Sequence, residues 1–165
     1  MKTGLTRIVM LLLGLVSQVM AADKIDSNLI KQLIDNQTTA VMQKDESKLM
    51  ALFADNYRQL QSAQQPILNK ADVAKIYKNN FLMAKLIICQ ATINEENIAE
   101  DGQSATIRVH LSYRYLFEYQ DQQKLLDQQE DWLSDIVLQQ GQLQYIKSQK
   151  LFTLLAYVLC LKIAS

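Results

Sequence analysis

From Ala105 to Tyr115 the chain alternates without a break. Ala105, Ile107, Val109, Leu111, Tyr113, Tyr115 and Phe117 share one parity, and Thr106, Arg108, His110, Ser112 and Arg114 share the other. Successive side chains of a strand point to opposite faces, so this run predicts a long strand with one buried and one wet face. A sheet wetted on one side is characteristically antiparallel, and its neighbours follow in sequence. The run from Leu86 reads as a partner strand joined through "EDGQ", where Asp101 and Gly102 suit a tight turn. Downstream, "QDQQ" turns the chain into "LLDQQEDWLSDIVL", and "QQGQ" around Gly141 turns it again into "LQYIKSQ".

The first half has a different period. "DSNLIKQLIDNQTTAVMQK" carries Leu29, Ile30, Leu33, Ile34, Ala40 and Val41 at helical spacing, with Asp26 or Ser27 to cap it. Gln37 falls on that apolar stripe. "ESKLMALFA" reads as a short second helix stopped by "DNY", and "NKADVAKIYKNNF" as a third, with Asn69 as cap and Asp72 three residues on. Helices first and a meander afterwards predict an α+β domain. Its helices pack on one face of a strongly curved antiparallel sheet.

The ends differ from this core. Lys2 and Arg7, the apolar run from Ile8 to Val16 and the small residues up to Ala21 match a cleaved secretory signal over residues 1–21. The expectation is a secreted, periplasmic protein with a domain over 22–150. Loss of Lys2 and Arg7 leaves 15 basic residues against 17 acidic ones, so charge gives no field for nucleic acid. Residues 151–164, "LFTLLAYVLCLKIA", form an apolar tail with 12 apolar residues in 14, short of the roughly 20 that span a bilayer as a helix. It either packs onto the domain or stays exposed as a patch for a protein or a membrane surface. Cys89 and Cys160 are the two cysteines, in apolar runs, as buried thiols or as a pair. Four glycines build no phosphate loop, and one histidine with no ligand spacing builds no metal site, so no cofactor or metal is expected.

Together, "MQKDESKLMALFADNY", "NKADVAKIYKNNF" and "EDWLSDIVLQQGQLQYIKSQ" resemble the nuclear transport factor 2-like superfamily, with its polyketide-cyclase-like and ketosteroid-isomerase-like branches. The resemblance implies a cone-shaped, cystatin-like fold with a cavity between the long helix and the sheet. It also implies a homodimer across the outer sheet face. Counted without gaps from Ala54, the isomerase branch's catalytic tyrosine and aspartate fall on Gln37 and Gln61. Its second acid falls on Leu133, between Asp131 and Asp135. An amide does not titrate near neutral pH, so the resemblance leaves that chemistry without its acid and base.

The candidate ligand-binding residues are Gln37, Tyr57, Tyr77, Tyr113, Tyr115, Trp132 and Asp135. Tyrosine and tryptophan offer an apolar body with one polar tip. Asp135 lies between Leu133 and Val137, where an inward carboxylate needs a partner or a use. The first expectation is a non-catalytic module that holds a small apolar ligand or contacts another protein. The alternative is a small cavity enzyme of isomerase, cyclase or hydrolase type, with Asp135 as base and Tyr113 or Tyr115 as hydrogen-bond donor. Asp55 reads as a general base or as the group that ties down the turn after the second helix. Arg108, His110 and Arg114 read as an anion site or as a solvated face.

Overall fold

The alternating run is the fourth strand of a six-stranded sheet. A computed structural model of the chain describes residues 23–61, 65–119 and 122–159. In chain order its elements are α1 (Ser27–Met42), α2 (Glu46–Ala51), β1 (Phe53–Leu60), β2 (Leu68–Asn69), α3 (Lys70–Met83), β3 (Ala84–Ile98), β4 (Ser104–Tyr119), β5 (Gln122–Gln139) and β6 (Gln142–Leu159). The strands lie in the order β2-β1-β6-β5-β4-β3 in a curved, unclosed sheet. Among the described residues, only the β1–β6 pairing is parallel. The expected signal segment, Cys160 and the last residues of the tail fall outside the described range.

Local chemistry sets the helix ends. The Asp26 carboxylate accepts from the Leu29 amide at 2.8 Å and starts α1. Asn69 and Asp72 form a reciprocal capping box at α3. Between α1 and α2, Lys44 turns through a positive φ of 56°, and its ammonium donates to the Ala84 carbonyl. Gly102, at φ 70°, closes the β3–β4 turn, where its carbonyl accepts from the Ile25 amide at 2.8 Å. A Cβ there would sit 3.1 Å from the Lys24 side chain, so glycine serves both the turn and the close approach.

The core lies between the helices and one sheet face. Ile30, Leu33, Ile34 and Val41 of α1 pack with Ile107, Val109 and Leu111 of β4, Ile87 of β3 and Ile136 of β5. Ile30, Ile107 and Ile136 are fully buried, each worth about 1.5–3 kcal/mol of transfer free energy. Residues directly opposed across an antiparallel pair share a face. Val109 opposes Trp132, Ile107 opposes Ser134 and Leu111 opposes Glu130, which puts even-numbered β5 residues inside.

Two expectations change here. "FADNYRQL" is not a helix end: α2 stops at Ala51 and Phe53–Leu60 is a strand. Its register shifts between Phe53 and Arg58, leaving Asp55 and Asn56 exposed side by side, and this bulge hides the alternation from a sequence reading. The tail also does not begin a new element at residue 151. β6 runs through Lys150 and stays paired with β5 to Leu159, while residues 151–156 expose their side chains. Over residues 152–156 the backbone docks and the side chains do not.

Candidate functional site

Four of the predicted residues meet at the inner face. Gln37 from α1, Tyr57 from β1, Tyr77 from α3 and Trp132 from β5 line one cavity with Phe53, Gln59, Tyr145 and two serines. Gln37 is placed there by the helical stripe it interrupts, and its side-chain oxygen accepts from the Tyr145 hydroxyl at 2.6 Å. Gln59 accepts from Tyr57 at 3.3 Å, and Ser134 and Ser148 share a hydrogen bond of 2.8 Å across β5 and β6. Polar groups buried among aromatics thus satisfy one another, as burial requires. The cavity offers about 30 Å³ to the centres of water molecules, space for a water or two and far below a drug-sized site.

Tyr113 and Tyr115 lie beyond this cavity on the same face. They stack on each other at 5.7 Å, and Tyr115 stacks on Phe117 at 5.8 Å, so they fill core instead of lining free space. Burial pushes the hydroxyls of Tyr57, Tyr77, Tyr113, Tyr115 and Tyr145 above the ordinary tyrosine range. It also pushes the Cys89 thiol up to about 12, with the Glu130 charge adding to the effect. A thiol so held is protonated and inert at neutral pH.

Asp135 is elsewhere. It opposes Thr106 on the outer face, accepts from that hydroxyl at 2.9 Å and has the Lys147 ammonium at 3.9 Å. The inward carboxylate expected at this position is therefore corrected: Leu133 and Val137 share its parity, and that parity faces out. Asp55 does not tie down a helix end. Its fully exposed carboxylate meets Lys70 at 3.1 Å.

The inner face has an acid that the sequence reading passed over. Glu130, with its side chain 6% exposed, accepts from Lys150 at 2.6 Å. It also accepts from Gln128 at 2.7 Å and from the Trp132 indole at 2.9 Å. Lys150 also lies 5.0 Å from the centre of the Trp132 ring. The parity of Trp132 would have put Glu130 inside, but its partner Lys150 comes from another strand. The carboxylate is occupied on both oxygens, which suits it to holding β5 and β6 together.

The outer face pairs its own charges. Arg114 grips Asp127 through two hydrogen bonds of 2.7 and 3.0 Å. His110 meets Asp131 at 2.7 Å, and Arg108 reaches Glu95 at 3.3 Å. Of the two predicted readings of this trio, the geometry fits a self-paired polar face. No group of three or more histidines, cysteines or acids suited to a metal occurs among the described residues.

No family sequence model matches the chain, and no curated protein matches it by sequence. Its shape is matched widely. A conserved protein from Planctomyces limnophilus superposes with a TM-score of 0.67 at 17% identity, over 79% of this chain and 96% of that one. A hexachlorocyclohexane dehydrochlorinase gives 0.64 at 11% identity, over 84% and 92%. An NTF-2-like protein of unknown function from Shewanella oneidensis gives 0.60 at 13%, over 76% and 98%. The chain has the nuclear transport factor 2-like fold. Its similar structures include both enzymes and proteins of unknown function, so the fold alone leaves its activity open.

Proposed function

We propose that this protein is an exported, non-catalytic interaction module that acts through the open end of its sheet. One contrast carries the reading. The cavity under the helices is nearly filled, while Leu151, Phe152, Leu154 and Leu155 are each 45–51% exposed at the far end. Adjacent exposed apolar side chains mark a contact surface. The cavity lining supports the non-catalytic side, since it presents amides, hydroxyls and aromatic rings whose polar tips are already engaged. Export rests on the basic start and apolar run of residues 1–21.

A photoreactive residue replacing Phe152 or Leu154 in the full chain, expressed in cells, tests the reading. Protein-sized adducts are expected at both positions, and their absence would overturn it. The intact mass of the exported product is expected to begin at Ala22.

A second reading, a small apolar ligand held by Gln37, Tyr57, Tyr77 and Trp132, draws on the convergence of polar groups around the cavity. It requires the rings to part and predicts added mass in native spectra that is lost on denaturation. Asp135 does not serve as a base in that cavity, because its carboxylate lies on the outer face beside Thr106.

A further inference from the structure

β6 has two different edges along its length. Up to Gln149 it is flanked by β1, whose last pairing is Leu60 with Gln149. Past a register shift at Leu151, residues Phe152 to Leu159 pair with β5 alone, and no strand lies on their other side among the described residues. This leaves a row of backbone donors and acceptors about 30 Å long, at roughly 3.4 Å per residue.

Natural edges are blunted by charge, shortness or cover. The β3 edge carries Lys85, Glu95 and Glu96, and the β2 edge is two residues long. The "LFTLLAYVL" edge has no charge, no proline and no glycine. It has apolar residues on both faces: Phe152 and Leu154 oppose outer residues of β5, and Leu155 opposes the inner Gln128.

We infer that this edge takes the same edge of a second copy of the chain, paired antiparallel about a two-fold axis near Leu155. The inference rests on the interaction reading above and names its partner. Self-pairing fits the segment for three reasons. The absence of charge means that no like charges meet across the axis. The antiparallel register sets Phe152 across from Val158 and Leu154 across from Ala156, both apolar pairs. The open length begins after Gln149, the last residue that β1 pairs, so a centre at Leu155 uses the described edge without collision with β1. The same patch on both subunits makes the contact closed and symmetric.

A dimer across the outer face is disfavoured by comparison. It would strip water from Arg114, Asp127, Arg108, Asp131 and Asp135, charges already paired within one chain. The β6 edge offers backbone groups that no strand pairs among the described residues.

The test is sedimentation of the full chain, purified without denaturation, across a micromolar concentration range. A dimer is expected, and Leu154→Lys with Leu155→Lys should weaken it at least about tenfold. Leu82→Lys, at an exposed position on α3, should leave it unchanged. A separate variant, Leu155→Cys with Cys160→Ser, should form a disulfide-linked dimer under mild oxidant, since opposed Cβ atoms lie about 4.5–5.5 Å apart. A chain monomeric throughout would overturn the inference, as would a dimer indifferent to these changes but lost on Arg114→Glu. If the chain is monomeric while photoadducts from Phe152 reach another protein, the inference falls and the broader interaction reading stands. If both are absent, both fall.

Discussion

The two halves of β6 are one strand in two environments. In the first, Tyr145 and Ser148 are buried, held by Gln37 and Ser134 beneath the helices. In the second, residues 151–156 are exposed throughout although their backbone pairs with β5 as regularly as before. Ladder hydrogen bonds alone therefore do not create a core. Burial arrives only where α1 and β1 cover the strand, and the Glu130–Lys150 pair stands at the boundary.

The largest break in this comparison should come from alkali. Five buried tyrosines and Cys89 have folded pKa values above their unfolded ones, so between these values the native state holds protons that the unfolded state has released. Stability therefore falls as pH rises, beginning near pH 9 for Cys89 and near pH 10 for the tyrosines. Each group contributes on the order of 1.4 kcal/mol per pH unit, enough together to exhaust a typical domain's stability by about pH 11. Circular dichroism against pH should show cooperative loss of structure in that range. A fold intact at pH 11.5 would mean that the inner face is wetter than described.

Truncation should separate the halves next. Ile136→Ala, in the fully buried part, should cost about 2–5 kcal/mol in urea unfolding. Leu154→Ala should change the stability of the monomer by less than about 0.5 kcal/mol. Equal costs would erase the distinction. At the boundary, Glu130→Gln removes the charge that holds Lys150 and should cost about 2 kcal/mol, below the value for a fully buried pair because Lys150 keeps some water. The cavity should show a smaller cost than the ion pair. Gln37→Leu leaves the Tyr145 hydroxyl without its acceptor and should cost about 1–2 kcal/mol, partly recovered when Tyr145→Phe is added.

The sequence made β4 legible because its alternation is unbroken, and α3 legible because Asn69 and Asp72 form its cap. The Asp101–Gly102 turn was equally plain. β1 was hidden by its bulge, where Asp55 and Asn56 interrupt the period. β5 was misphased because it carries apolar residues on both faces: Leu133 and Val137 suggested an inward Asp135, while Trp132, Ser134 and Ile136 are the inner set. Only pairing with β4 resolves that parity. Of the candidate site, Gln37 was visible as a polar break in an apolar stripe. Glu130 was not, because its ion pair reaches another strand, and Gln59 was not, because the bulge in β1 hides which face it takes.

The parallel pairing of β1 with β6 has a temporal consequence. Phe53 finds its register beside Tyr145, near the opposite end of the chain. A ribosome will have made all three helices and most of the meander before that partner exists, and the closing loop is long. The side of β1 that faces β6 must therefore wait unpaired, although α1 can already rest on β3 and β4.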